Sequence, residues 1–287
     1  MPPSPPHAVL LISCADAPGI VRALASFVAD HGGNILDSDQ HLDRATSVFF
    51  TRLAFTLEGF RVPREEIAER VRELLADRSP HLQVRFSDQV KRGAILVSKT
   101  NHCLYDLLLR QESGELRCEF PLVISNHDRM RSVAEHFEVP YHHLPVDRET
   151  KQEQETQILE LLERERIDFV VLARYMQILS PRLVDRYSAQ IINIHHSFLP
   201  AFSGARPYHQ AHQRGVKVIG ATGHYVTADL DEGPIIAQDV VHVSHRDSVR
   251  DLVHKGRDLE KVVLARAVRV HVEDRVLVYA NKTVVFE

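Results

Sequence analysis

The chain has 287 residues, 44% hydrophobic and 26% charged, with 12 glycines and 14 prolines. That is too apolar for a disordered chain and too poor in Pro and Gly for a fibrous one, so one or two packed domains are expected. Lys and Arg total 35 against 39 Asp and Glu, and the parts before and after Arg92 carry 11 against 12 and 24 against 27. Neither part is basic enough for phosphate-backbone binding, and no nucleic-acid partner is expected.

Three cysteines, Cys14, Cys103 and Cys118, lie far apart without a CxxC pair, which argues against a disulfide framework or a Cys-rich zinc site and for thiols in a reducing compartment. The opening Met1–Pro6 carries no Lys or Arg, and the apolar stretch after it is cut by Asp16, so it does not read as a secretory signal. No apolar run approaches the ~18 residues that cross a bilayer. A cytoplasmic protein with no membrane partner is the expectation.

In chain order, Ala8–Ser13 is a short apolar run suited to a buried strand. Ala17-Pro18-Gly19 breaks the chain, and Ile20, Leu24, Phe27 and Val28 then recur at helical spacing up to Gly32-Gly33. Asn34–Leu42 and Ser47–Leu57 are β-rich around the polar turn 43–46, a second helix starts near Pro63 with Ile67, Val71, Leu74 and Leu75 on one face, and His81–Phe86 is a last strand. The order βαββαβ predicts one antiparallel sheet with both helices on one face, the ferredoxin-like layout, over residues 1–86. The polar run 87–92 is the expected linker.

From 93 to 287 the pattern changes. Ala94–Val97, Pro121–Ser125, Phe169–Ala173 and Gln190–Ile194 are short apolar runs separated by helical patterns, which predicts an α/β, doubly wound, mostly parallel sheet. Thr150 to Glu153 has capping-box spacing at the head of a helix carrying Ile158, Leu161 and Leu162. Val216–Val226 and Pro234–Val243 then read as β pairs, Asp247–Val270 as a long helix, and the end as a pair of strands. There are no internal repeats.

The chemistry concentrates in Asn193-Ile194-His195-His196-Ser197-Phe198-Leu199-Pro200. Asn193 and His195, two apart at the end of a strand, share a face where open α/β sheets bind ligands. A second cluster, Leu230-Asp231-Glu232-Gly233-Pro234, puts a carboxylate in a turn. Amide, imidazole and carboxylate are the parts needed to polarise a carbonyl and move a proton. Spacing alone fits strand-end capping by Asn193 and His195, or a plain turn at Asp231, equally well. The doublets His142-His143 and His195-His196 lack metal-ligand spacing, and no metal is expected. Ser98-Lys99-Thr100-Asn101-His102 sits where anions bind at a helix start, but it lacks phosphate-loop glycines and reads as a structural cap.

These residues carry a resemblance. Asn193–Pro200 with Leu230–Ile236 resembles the formyltransferase family that uses 10-formyltetrahydrofolate. Phe202–Ala211, Arg214–Thr227, Asn101-His102-Cys103-Leu104 and Asp106-Leu107-Leu108 are similar to its hydrolytic branch, the formyltetrahydrofolate deformylases. Asp16-Ala17-Pro18-Gly19-Ile20 and Gly33-Asn34-Ile35 resemble the ligand loop of an ACT domain. The resemblance implies hydrolysis of 10-formyltetrahydrofolate to tetrahydrofolate and formate, feeding purine biosynthesis and one-carbon balance, with no cofactor. It implies catalysis by Asn193, His195 and Asp231, and a folate wall from Met176, Gln177, Leu179 and Val226. It also implies an amino-acid effector near Asp16, Gly19 and Asn34, between copies of a homo-oligomer. His196 stands where the transferases commonly have Pro. Formyl transfer to an amine acceptor such as glycinamide ribonucleotide is the alternative enzyme, and a folate-binding regulator without turnover is the reading from another class.

Overall fold

The computed structural model describes residues 5–200 and 207–287. The chain divides into two compact units. One runs to Val90 and takes in Asp274–Tyr279 and Val284–Glu287; the other comprises Lys91–Glu273 and Ala280–Thr283.

In the first unit β1 (His7–Ala15), α1 (Ile20–Asp30), β2 (Ile35–Asp43), β3 (Val48–Thr56), α2 (Arg64–Leu74) and β4 (His81–Phe86) form the expected βαββαβ pattern. The sheet has order β2-β3-β1-β4 and is antiparallel throughout. Gly32 adopts φ +85 after α1, and a Cβ there would lie 2.7 Å from the Gly59 carbonyl oxygen, so the helix ends where only glycine fits. Side chains alternate across β1 and β3: Leu10, Ile12 and Phe55 pack with Ile20, Leu24, Ile67 and Val71 of the helices.

The opposite face, with Val9, Leu11, Phe50 and Ala54, is also buried, and Leu277, Val284 and Phe286 from the C-terminal ribbon cover it. The sequence reading kept residues 93–287 together. The near-continuous apolar pattern of β1 and β3 gives the first sheet two faces to bury, and the C-terminal strands supply the second cover. The expected linker 87–92 is likewise shorter, because Lys91 and Arg92 already belong to a strand of the second unit. The Arg92 N–H donates to Asp168 Oδ2 at 2.8 Å and its guanidinium pairs with Glu119 at 2.7 Å, so this polar stretch is a satisfied strand end.

The second unit runs β5 (Lys91–Val97), α3 (His102–Glu112), β6 (Cys118–Ser125), α4 (Arg131–His136), β7 (Tyr141–His143), α5 (Lys151–Arg164), β8 (Phe169–Ala173), α6 (Pro181–Arg186), β9 (Ile191–His195), α7 (Pro207–Arg214), β10 (Val218–Tyr225), β11 (Ile235–His242) and α8 (Val249–Val272). Its sheet has order β11-β10-β9-β8-β5-β6-β7, parallel from β7 to β9, with β10 and β11 antiparallel. The winding reverses at β5, which lies between β6 and β8, and crevices form beyond the carboxyl ends of strands at such a point.

The capping box read from sequence does not form where it was expected. The Thr150 side chain does not cap α5; its hydroxyl instead donates to Asp147 Oδ1 at 2.9 Å. A full capping box forms at α8 between Ser248 and Asp251. The doublet His142-His143 ends β7, and the three cysteines are free and buried, with burial raising the Cys118 thiol to about 12. Of the stretch 202–211 that carried part of the resemblance, residues 202–206 lie outside the described residues. Among the described residues no helix is long and apolar enough to cross a membrane.

Candidate active site

Residues at the carboxyl ends of β8 and β9, with the β10–β11 connection, line a cavity of about 420 Å³. Met176, Gln177, Leu179, Asn193, His195, Val226 and Asp231 all line it.

Strand pairing explains the convergence. Antiparallel β9 and β10 place Asn193 opposite His224 and His195 opposite Thr222. Asn193 Nδ2 lies 3.1 Å from His224 Nε2, and His224 Nδ1 lies 2.9 Å from the Tyr225 carbonyl oxygen. An amide nitrogen can only donate, so His224 accepts at Nε2 and carries its proton on Nδ1, donating to the carbonyl. Burial lowers the His224 pKa, in keeping with a neutral ring. This fixes the Asn193 amide plane.

His195 Nδ1 lies 3.2 Å from Asp231 Oδ2, while the buried His195 Nε2 has no protein partner among the described residues. The hydrogen bond from His195 holds the Asp231 pKa below the usual carboxylate range against the opposing effect of burial. Asp231 Oδ1 is 3.8 Å from His224 Nε2, too far for a hydrogen bond.

The turn that presents Asp231 is tightly specified. Asp231 has φ 58, a left-handed conformation that Asp tolerates. A Cβ on Gly233 would sit 1.8 Å from the Tyr225 carbonyl oxygen, so the chain passes too close for any side chain. Asn281 Nδ2 donates to the Glu232 carbonyl at 2.9 Å and anchors the turn from outside. On the β9 side, Thr222 Oγ1 donates to the Ser197 carbonyl and accepts from Leu199 N and Gln238 Nε2, which holds the segment after His195 in place.

The other walls are apolar. Met176, Ile178 and Leu230 are 61%, 60% and 64% exposed, an unusual degree for such side chains, and all three border the cavity. Arg174, in the left-handed region at φ 64, is also on the rim. Its Nε lies 3.5 Å from Glu260 Oε2. Glu260 is 1% exposed and receives His102 Nε2 at 2.8 Å and Tyr208 Oη at 2.7 Å. Burial acts to raise the Glu260 pKa, but the His102 hydrogen bond and the Arg174 charge outweigh it and hold the carboxyl below its ordinary value. The network borders a smaller cavity of about 280 Å³ that includes His196, whose pKa burial and then Arg174 push down to about 4.

The sequence reading missed His224, Arg174 and Glu260 as site groups. His224 carried a usable signal, since Thr222, His224 and Val226 alternate onto one face of a strand beside the Asn193 segment. Arg174 carried none, because nothing local announces its positive φ, and Glu260 is a lone acid within a long helix. The expected effector residues belong to the first unit. Asp16 and Gly19 lie in the β1–α1 connection, where the Asp16 N–H donates to the Ser47 carbonyl and Gly19 has φ 93. Asn34 precedes β2 and its N–H donates to Thr56 Oγ1.

The formyl transferase family model matches residues 91–268 and the ACT domain model residues 8–76. A formyltetrahydrofolate deformylase of Synechocystis sp. is 56% identical over 97% of this chain and 98% of that protein. The crystal structure of a formyltetrahydrofolate deformylase from Pseudomonas syringae superposes with a TM-score of 0.96 at 48% identity, covering 99% of this chain and 95% of that one. A glycinamide ribonucleotide transformylase from Symbiobacterium toebii covers only 70% of this chain, at 30% identity and a TM-score of 0.66. With both modules matched in order and the deformylases aligned nearly end to end, this chain belongs to the formyltetrahydrofolate deformylase family.

Proposed function

We propose that Asn193, His195 and Asp231 carry out the hydrolysis of 10-formyltetrahydrofolate to tetrahydrofolate and formate that defines the family. The observation that carries this reading is the unpartnered, buried His195 Nε2 facing a cavity whose rim holds the Asn193 amide and the Asp231 carboxylate.

Water attacks the formyl carbon, forming a C–O bond and placing negative charge on the formyl oxygen. Asn193 Nδ2, held by His224, and protonated His195 Nε2 donate to that oxygen. Asp231 Oδ2 stabilises the imidazolium through Nδ1, and Oδ1 receives the proton of the attacking water. The C–N bond then breaks as His195 delivers its proton to N10, leaving formate and tetrahydrofolate. Met176, Gln177, Leu179 and Val226 form the wall against which the pterin packs.

No metal or cofactor enters these steps. His102, Cys103 and Glu260 bring possible ligand atoms within 4.8 Å of one another, but the Glu260 oxygens are committed to His102 and Tyr208, and burial keeps the Cys103 thiol protonated. The first unit binds an amino acid near Asp16, Gly19 and Asn34 between two copies of the chain. The exposed Ile35 and Leu36 on edge strand β2 support self-association. Formate supply to purine synthesis in the cytoplasm completes the reading.

The test is incubation with 10-formyltetrahydrofolate alone, following tetrahydrofolate. Turnover without any amine is expected, and folded His195→Ala should lose 100-fold or more, from about 3 kcal/mol of lost transition-state stabilisation. Wild-type turnover by His195→Ala would remove the assignment.

A further inference from the structure

Beside the catalytic cavity, and sharing Arg174, Met176 and Gln177 with it, lies a second cavity of about 360 Å³. Its floor is the carboxyl ends of β5, β6 and β8, the point where the sheet winding reverses. The charged or chargeable side chains on its wall are Lys99, His127 and Arg174, and among the described residues no carboxylate lines it. Two acids lie beyond its lining: Glu260, 3.5 Å from Arg174 Nε, and Asp128, the residue after His127, 3.9 Å from His143 Nδ1.

Donors there are left unused. Among the described residues the buried Thr100 hydroxyl has no partner, and Thr100 lines this cavity as well as the one of about 280 Å³. The first turn of α3 has no side-chain cap, contrary to the capping expected of Ser98, Thr100 or Asn101. Ser98 Oγ instead donates to Asn126 Oδ1 at 2.7 Å and accepts from Met176 N at 3.1 Å, tying the two cavities' shared wall to this floor. Burial, then the Lys99 and His143 charges, lower the His127 pKa.

We infer that this cavity is a small-oxyanion site that receives the formate product on its way out of the catalytic cavity. The inference rests on the hydrolytic reading, because that reaction creates a monoanion beside Arg174. A small carboxylate can accept from Lys99, Thr100 and Arg174 together, where the neutral formamide of the substrate could not hold them. Free inorganic phosphate shares the oxyanion chemistry and is the other source of an occupant.

The experiment titrates full-length protein with sodium formate and, separately, with inorganic phosphate, at ionic strength fixed with chloride, by calorimetry and as inhibition of formate-free initial rates. It compares wild type, His195→Ala and Lys99→Gln/His127→Gln. Saturable formate binding is expected in wild type and in His195→Ala, weakened about tenfold or more in the double variant, which keeps its uninhibited turnover. Binding in His195→Ala separates this proposal from the catalytic one, since it needs no turnover. Formate binding unchanged by the double substitution, saturable binding of phosphate alone, or no saturable binding of either ion would overturn it.

Discussion

His195 and Asp231 are individually ordinary residues whose chemistry comes from what each lacks. His195 has a partner on Nδ1 and, among the described residues, none on Nε2, while Asp231 meets His195 through Oδ2 and keeps Oδ1 3.8 Å from His224 Nε2. Because the His195 hydrogen bond depresses the Asp231 pKa, Asp231 stays ionised at neutral pH, and the activity it supports is lost as pH falls through that depressed value. Asp231→Asn should remove this acid limb from the kcat profile and cost roughly 100-fold in rate, since an amide cannot take the proton of water. His196 acts on stability, in the same direction of pH. Its pKa falls from 6.5 to about 4, so between those values the unfolded chain takes up a proton that the folded protein refuses. Folding stability therefore declines as pH drops from 6.5 to about 4, by at most about 3 kcal/mol from this group. Urea unfolding of His196→Gln across that range should show a flatter pH dependence than wild type; an unchanged slope would place the effect elsewhere.

Elements, more than single residues, decide whether these groups meet. The β9–β10 register sets Asn193 against His224, and a slip of one strand by one residue would turn its member of the pair away from the other. His224→Ala should leave the chain folded but free the Asn193 amide to rotate, lowering kcat about tenfold with little change in KM; His224→Asn, which can still accept from the amide, should recover part of the loss. The Asp231 turn is equally constrained. Gly233→Ala forces its backbone off Tyr225 and should lower kcat more than it lowers thermal stability, because the turn can shift outward while the sheet stays paired. The strand ends bearing Asn193 and His195 were legible from short apolar runs and a two-residue alternation. Pairing register was not, because it depends on a partner strand more than twenty residues away in the chain. The Thr150 box failed for a related reason: its sequence pattern is local, but Asp147 competes for the same hydroxyl.

For the molecule as a whole, the βαββαβ unit and the wound sheet followed from apolar periodicity, and the family resemblance from motifs at both sites. What periodicity could not tell was the allegiance of the last strands, since two short apolar runs say nothing about which sheet they cover. The structure gives Leu277, Val284 and Phe286 to the core of the first unit. Each buried side chain of this kind contributes about 1.5–3 kcal/mol, so a chain ending at Glu273 should show an early unfolding transition and rapid proteolysis within residues 7–86. A truncated chain whose first unit melted like wild type would contradict that placement. The central claim, that an amide, an imidazole and a carboxylate let water accept the formyl group, is tested most directly in oxygen-18 water with 10-formyltetrahydrofolate and no amine. Formate carrying one heavy oxygen per turnover, formed by wild type and abolished together in the Asn193→Ala, His195→Ala and Asp231→Asn variants, is the predicted result. Formate without label, or turnover that requires an added amine, would contradict it.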